Sequence, residues 1–97
     1  MARKKSLRKL AKGQECLVRI PGYCNHNPET TVLCHIRRGG VAGIGQKPVD
    51  LSAVIACSHC HDVIDGRVPY PLENKDTFVL EGMCRTVTFF AKHLNVG

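Results

Sequence analysis

The sequence predicts a small α+β domain that is stabilised by a bound zinc ion, with a short N-terminal helix and a longer C-terminal one. Three observations predict this class. The chain has 97 residues, so few that a hydrophobic core alone gives only marginal stability. Its six cysteines include a C-x₂-C pair, Cys57 and Cys60, a spacing that binds metal from a tight turn. Two short strand-like stretches are flanked by segments with helical patterns.

The positive charge is concentrated at the N-terminus. The net charge is +6, and no acidic residue precedes Glu15. We expect residues 1–12 to form a basic arm with a short helix that Ser6 caps and Gly13 ends, and residues 13–97 to form one domain. Such an arm suits contacts to nucleic-acid phosphates, although a solubilising tail is the alternative. The cations of the arm are Arg3, Lys4, Lys5, Arg8, Lys9 and Lys12.

Two strands are predicted in the middle of the chain. Residues 30–36 are rich in β-branched side chains and form the clearest strand. Residues 51–56 are an apolar run that predicts a second strand, with a short helix as the alternative. The glycine-rich stretch 39–49 connects them and is not a Walker loop, because Lys47 is followed by proline. We expect Lys47 to contact nucleic acid.

Two helices are predicted after the second strand. One follows Cys60 and runs to about residue 65, where Gly66 stops it. A long amphipathic helix begins near residue 74, and Cys84 is expected to be a small buried residue within it. The side chains expected to pack on the strands are Phe78, Met83, Val87, Phe90 and Leu94.

Four cysteines predict a structural zinc site. The Pro21–Gly22 turn should bring Cys16 close to Cys24, and their C-x₇-C spacing becomes informative when it is combined with Cys57 and Cys60. The alternatives are that His26 replaces a thiolate, or that His59 or His61 does so in a Cys₃His site.

A second site with harder ligands is predicted beside the first. His61 and Asp65 are four residues apart, so they project from one face of the same helix. An imidazole and a carboxylate suit a harder divalent ion than four thiolates do. His35 ends the first strand, and the adjacent Arg37 and Arg38 resemble a phosphate-binding site.

The cysteines also bear on the compartment. The basic N-terminus is not followed by an apolar run, so we expect no signal peptide, and no stretch approaches transmembrane length. A cytoplasmic, reducing compartment is therefore expected, and there C-x₂-C favours metal over disulfides.

Five motifs, taken together, resemble one family. They are Cys-x-Val-Arg-Ile-Pro-Gly-x-Cys-Asn at 16–25, Asn-Pro-Glu-Thr at 27–30, His-Ile-Arg at 35–37, Ile-Ala-Cys-x-x-Cys-His-Asp-x-Ile-Asp at 55–65 and Leu-Glu-Gly-Met at 80–83. This order resembles the ββα-metal, or HNH, nucleases, and more closely the small nucleases of lambdoid prophages typified by YbcO. The likeness spans roughly residues 7–90. The module also resembles the DNA-cutting domain of Ref, a phage nuclease that works with RecA filaments.

The resemblance implies a prophage-encoded endonuclease that cuts DNA in the bacterial cytoplasm, in phage recombination or DNA processing. It places His35 as the general base, and Arg37 or Arg38 as a donor to the phosphate. It places a catalytic magnesium or manganese ion at His61 and Asp65 and structural zinc at the four cysteines. A RecA-like filament is a partner by analogy.

The chain departs from the HNH pattern at three positions. Cys34 stands where many members place an acidic metal ligand, and Asp65 stands where they place a histidine. Their middle asparagine has no clear counterpart, and Asp50 is the nearest candidate. These departures leave two alternatives: a zinc-stabilised DNA-binding or recombination accessory module without catalysis, and a structural interaction domain in which Cys34 and His35 pack or join the zinc site.

Overall fold

The structure is a computed structural model that describes residues 6–36, 50–70 and 73–94. Within these ranges a two-stranded antiparallel sheet is combined with three α-helices and one 3₁₀ turn, which confirms the small α+β class. The cations Arg3, Lys4, Lys5, Arg37, Arg38 and Lys47 lie outside the described residues. The elements in chain order are α1 (Leu7–Ala11), the 3₁₀ turn (Pro28–Thr30), β1 (Val32–His35), β2 (Ala53–Ala56), α2 (Ser58–Ile64) and α3 (Lys75–Leu94).

The short helix α1 forms as predicted. The Ser6 hydroxyl caps it by accepting a hydrogen bond from the backbone N–H of Lys9 at 3.3 Å. Gly13 follows the helix with a φ of +82°, a backbone conformation that glycine adopts without strain. Leu7 and Ala11 are buried against the sheet, whereas the cationic side chains of the helix face solvent. Helix α1, the part of the predicted basic arm that the structure describes, is thus anchored to the core.

The sheet is shorter than predicted and is buried on both faces. β1 begins at Val32 rather than residue 30, because the preceding 3₁₀ turn uses Thr30. Residues 53–56 form β2, so the helical alternative for this stretch is wrong. The register pairs Cys34 with Val54 and Leu33 with Ile55. Because side chains alternate along a strand, the Cys34 face packs on α2 and the Leu33 face packs on α1 and the C-terminal part of α3.

The helix α2 starts at Ser58, before Cys60, and not after Cys60 as predicted. Its N-cap is Cys57, whose sulfur accepts a hydrogen bond from the N–H of Cys60 at 3.4 Å. Cys60 therefore lies inside the helix rather than before it. The helix ends at Ile64, and Gly66 follows with a φ of +77°, as the predicted stop signal requires.

The helix α3 packs on the core with most of the predicted side chains, but two predicted positions face solvent. Phe90 is buried, but Val87 is 54% exposed and Cys84 is exposed, so both of those predictions are wrong. Phe78, Met83 and Leu94 are partly buried against the core. The buried positions of the helix are Val79, Gly82, Thr86 and Phe90.

Two close contacts explain the orientation of α3. A Cβ atom at Gly82 would lie 2.8 Å from Cγ2 of Val18, so glycine allows the helix to approach that loop. The Thr86 hydroxyl accepts a hydrogen bond from the N–H of Ile55 at 3.0 Å, while the Ile55 carbonyl accepts one from Leu17 at 2.9 Å. The outer edge of β2 is thereby satisfied by α3 on one side and by the Leu17 loop on the other.

None of the helices in the described ranges combines the length and the hydropathy that a membrane span requires.

Candidate metal centres and cleft

The four predicted cysteines converge at one point. The sulfur atoms of Cys16, Cys24, Cys57 and Cys60 all lie within 4.8 Å of one another. The Cys24 and Cys57 sulfurs are 3.9 Å apart. A tetrahedral zinc ion with Zn–S bonds of about 2.3 Å has a sulfur–sulfur edge of about 3.8 Å. The cluster could therefore hold a metal ion such as zinc. No disulfide joins the cysteines, all six of which lie in the described residues.

Two tight backbone features build this cluster. Residues 21–23 form a turn in which the N–H of Cys24 donates to the Ile20 carbonyl at 2.9 Å, and Gly22 has a φ of +81°. The start of α2 supplies the other pair, since Cys57 caps the helix and Cys60 lies in its first turn. Both features follow directly from local sequence, which is why the spacing predicted them.

The electrostatics of the cluster favour a bound cation. Backbone N–H groups donate to the sulfurs of Cys16 and Cys57, as they do to thiolates. A hydrogen bond from the Cys60 side chain lowers the pKa of Cys16 to about 4. Burial raises the pKa of Cys24 to about 11, and the hydrogen bond to Cys16 raises that of Cys60. Several thiolates this close repel one another, and a dication removes that repulsion.

None of the histidines considered as replacements belongs to this four-atom group, although His26 lies beside it. His26 is exposed, with its Nδ1 3.7 Å from the Cys24 sulfur, and His59 is exposed on α2. His61 belongs to a second group of donor atoms. The four-thiol set is complete without any of the three.

The second group joins α2 to the buried face of β1. Donor atoms of Cys34, His61 and Asp65 lie within 4.8 Å of one another. His61 Nε2 is 3.0 Å from Asp65 Oδ2, which confirms that the two side chains share one face of α2. Their side chains are 27% and 21% exposed, whereas Cys34 is fully buried. The sequence assigned only His61 and Asp65 to this ion and treated Cys34, which stands at the position of an acidic ligand, as a departure from the HNH pattern.

His35 and Asp50 form a hydrogen-bonded pair. His35 Nε2 is 2.8 Å from Asp50 Oδ1, and the Arg8 Nε of α1 is 3.4 Å from the same oxygen. The hydrogen bond to His35 lowers the pKa of Asp50 below its ordinary value. Asp50 is therefore a carboxylate at neutral pH. The structure places it beside His35 across 15 residues of sequence.

A cleft of about 350 Å³ lies between the end of β1 and the end of α2. His35 at the end of β1 and Asp65 at the end of α2 line it from different elements. Arg67 and Lys75 add two cations that sequence reasoning missed, because neither belongs to a motif. Arg67 is 3.6 Å from the Asp65 carboxylate. The lining residues are His35, Ile36, Ile64, Asp65, Arg67, Lys75 and Val79.

These features define a small α+β domain with a four-cysteine cluster that could hold a metal ion and a cleft that carries histidine, carboxylate and cationic side chains. The family model described as "Putative nuclease YbcO" matches residues 5–94, and the chain belongs to this family. It is 55% identical over 87 residues to "Putative nuclease YbcO" of Escherichia coli (strain K12), covering 89% of this chain and 91% of the relative. The protein of that name from Enterobacteria phage 82 matches with the same values.

A solved structure matches the fold as well. It is described as a bacteriophage protein from Escherichia coli K-12 MG1655 and aligns with a TM-score of 0.74 at 48% identity. The match covers 92% of this chain and 100% of the other. The YbcO family that the motifs predicted is therefore confirmed, and its members include proteins of a bacterium and of a phage.

Proposed function

We propose that the protein is a metal-dependent endonuclease that hydrolyses DNA phosphodiester bonds, in phage recombination or DNA processing. The observation that carries this proposal is the cleft that His35 and Asp65 line together, with the cations Arg67 and Lys75 on its walls. A cleft with a base, metal donors and positive charge suits a substrate phosphate. The relatives are named as nucleases, and β1, β2 and α2 follow one another in the order of a ββα-metal domain.

His35 is the general base of the proposed reaction. Its Nε2 is engaged by Asp50 at 2.8 Å, so its Nδ1 is the nitrogen left to accept a proton from water. Asp50 fixes the tautomer and the ring orientation and stabilises the imidazolium that forms, as a carboxylate does for a catalytic histidine. Asp50 thus takes the orienting role for which the sequence has no asparagine. Arg8, which contacts the same oxygen, links this pair to the basic helix α1.

His61 and Asp65 fit a divalent ion by their donor chemistry. They offer an imidazole nitrogen and a carboxylate oxygen that are 3.0 Å apart and partly exposed, and Asp65 lines the cleft. When bound there, a divalent ion supplies Lewis-acid stabilisation of the charge that develops on the scissile phosphate. The sequence resemblance implies magnesium or manganese for this position. Asp65 also contacts Arg67, which orients that guanidinium toward the same edge of the cleft.

The remaining predicted residues hold the fold or the substrate. Zinc at the four cysteines fixes the 16–24 loop to the start of α2, the helix that carries His61 and Asp65. The exposed cations Arg8, Lys9 and Lys12 of α1 suit contacts to DNA phosphates. Arg37, Arg38 and Lys47 stay predictions of phosphate contacts, as does the RecA-like partner.

Cleavage of supercoiled plasmid tests the proposal. The purified protein is assayed with magnesium, manganese, zinc and cobalt separately, and His35→Ala is compared with His59→Ala, a change at an exposed histidine of α2 outside the cleft. We expect metal-dependent nicking that falls by about 10²- to 10⁴-fold in His35→Ala and is kept in His59→Ala. Equal cleavage by His35→Ala and the unaltered protein would overturn the mechanism. Absence of cleavage while DNA is still retarded on a gel would favour the accessory-module alternative.

A further inference from the structure

We infer that the Cys34 thiolate is the third ligand of the ion at His61 and Asp65, and that this site therefore takes a zinc-class ion in preference to magnesium. The inference rests on the proposed function for the location of the ion and deepens it by naming the metal class. It adds a sulfur donor to a site for which the sequence predicted only nitrogen and oxygen.

The position of the Cys34 sulfur carries the inference. It lies within 4.8 Å of a nitrogen of His61 and a carboxylate oxygen of Asp65. The strand and the helix that bring these atoms together are fixed to one another. Cys34 pairs with Val54 in the sheet, and β2 leads into α2 through the single residue Cys57. The three donors are therefore presented by a rigid corner of the fold, as a metal site requires.

A buried cysteine is often no more than a small apolar residue. The surroundings of Cys34 differ from that case, because donor atoms of two ionisable residues, His61 in α2 and Asp65 at its end, approach its sulfur. Partial burial of an imidazole and a carboxylate beside a thiol is unfavourable unless charge is balanced there. A dication bound by a thiolate, a carboxylate and a neutral imidazole gives a net charge of zero. The donor set thus fits a dication by its charge as well as by its distances.

The identity of the donors selects the metal. Magnesium requires near-octahedral oxygen ligands and binds sulfur poorly. Zinc and cobalt accept cysteine, histidine and aspartate together, and catalytic zinc sites use three protein ligands with one position left open. The 3.0 Å between His61 Nε2 and Asp65 Oδ2 is close to the edge of about 3.3 Å expected for nitrogen and oxygen ligands about 2.0 Å from a tetrahedral ion. Of the three donors, Asp65 lines the cleft, so an ion held there would lie beside the proposed substrate site.

Cobalt substitution tests the inference without relying on activity. The metal-free full-length protein is titrated with Co²⁺, and metal content and sulfur-to-cobalt charge-transfer absorbance are measured for each variant. We expect about two equivalents per chain in the unaltered protein and about one in Cys34→Ser, with a matching loss of charge-transfer intensity. Cys84→Ser is the matched control, because it makes the same change at the exposed cysteine of α3, and it should retain both equivalents.

Cys34→Asp is the second variant, and it replaces the sulfur donor by oxygen. We expect it to retain two ions, to lose the charge-transfer contribution of the second, and to shift plasmid cleavage from zinc or cobalt toward magnesium or manganese. Retention of one equivalent by every folded variant reports an intact four-thiol site, so that loss of the fold is recognised separately. Unchanged stoichiometry and absorbance in both Cys34 variants would overturn the inference.

The inference and the proposed function fail in different ways. If cleavage depends on His35 and magnesium while cobalt binding is indifferent to Cys34, the nuclease stands and the thiolate ligand is excluded. If the second cobalt ion requires Cys34 but the unaltered protein cuts no DNA with any ion, the thiolate site stands and the nuclease is excluded.

Discussion

The four-thiol cluster and the cleft-side site are built from the same short segment, yet they differ in every property that matters for function. Cys57 and Cys60 contribute to the cluster, and His61 and Asp65 contribute to the second donor group, whose Asp65 lines the cleft. Cys60 and His61 are adjacent in sequence, but on a helix neighbouring residues point about 100° apart. One turn of α2 therefore faces two sites. The cluster is closed and chemically uniform, whereas the cleft side is partly exposed and mixes nitrogen, oxygen and sulfur donors.

This difference indicates that the cluster supports the fold on which the cleft depends, whereas the cleft does not support the cluster. Zinc at the cluster would position α2, so its loss should abolish the fold and with it the cleft. Loss of a cleft donor should abolish chemistry and leave the fold intact, because His61, Asp65 and Asp50 are partly exposed. Variants at the cleft side should therefore lose activity and keep their stability. Variants at the cluster should lose both.

The largest effect is expected for Cys57→Ser. This change removes a thiolate that also caps α2, and structural zinc in peptides of this kind contributes on the order of 10 kcal/mol of binding free energy that is coupled to folding. We expect zinc content to fall and cooperative thermal unfolding, followed by circular dichroism, to be lost. Cys84→Ser is the control and should match the unaltered protein. Unchanged zinc content in Cys57→Ser would contradict the four-thiolate assignment.

A smaller and purely functional effect is expected for Asp50→Asn. The amide cannot stabilise the His35 imidazolium or fix its tautomer as the carboxylate does, so the rate of plasmid cleavage should fall by about 10- to 100-fold. The melting temperature should change little, because the Asp50 side chain is 39% exposed. Asp62→Asn is matched to it in exposure, at 37%, and in having an arginine partner. Equal losses in the two variants would mean that general electrostatics, not the His35 pair, controls the rate.

The parts of the molecule that sequence predicted are those set by local rules. Capping by Ser6, the turn before Cys24 and the four-residue spacing of His61 and Asp65 are all properties of a few consecutive residues. These features predicted α1, the thiol cluster and the shared face of α2, and the β-branched composition predicted β1. The predicted division at residue 12 and the contacts of the cations outside the described residues stay predictions.

The parts that sequence could not predict depend on contacts between distant segments. Hydrophobic periodicity placed Val87 on the buried face of α3. The contact of Gly82 with Val18 and the hydrogen bond from the Ile55 N–H to Thr86 instead put Gly82 and Thr86 on that face. A glycine and a threonine carry no hydrophobic signal, so a periodic pattern assigns them to solvent. Arg67 and Lys75 face the cleft only because α2 and α3 meet there. Similarly, Cys34 approaches His61 because of the strand register.

The smallest effect is expected for Asn25→Ala, which probes the frame around the closed cluster rather than its ligands. The Asn25 amide donates to the Thr30 hydroxyl at 3.1 Å and to the Ser58 hydroxyl at 3.2 Å. It thereby ties the loop after Cys24 to the start of α2. Because a net hydrogen bond contributes about 1 kcal/mol and about 1 kcal/mol shifts the melting temperature of so small a domain by roughly 4–8 °C, we expect a lowered melting temperature with zinc content and cleavage unchanged.

Gln14→Ala, an exposed amide next to α1, is the control for Asn25→Ala and should leave the melting temperature within a degree or so of the unaltered value. The outcome that would break the comparison is release of zinc by Asn25→Ala without a prior loss of folded structure. The cluster would then depend on its hydrogen-bonded frame as much as on its four thiols. In that case α2 would be positioned by the loop network, with zinc as a consequence of that positioning and not its cause.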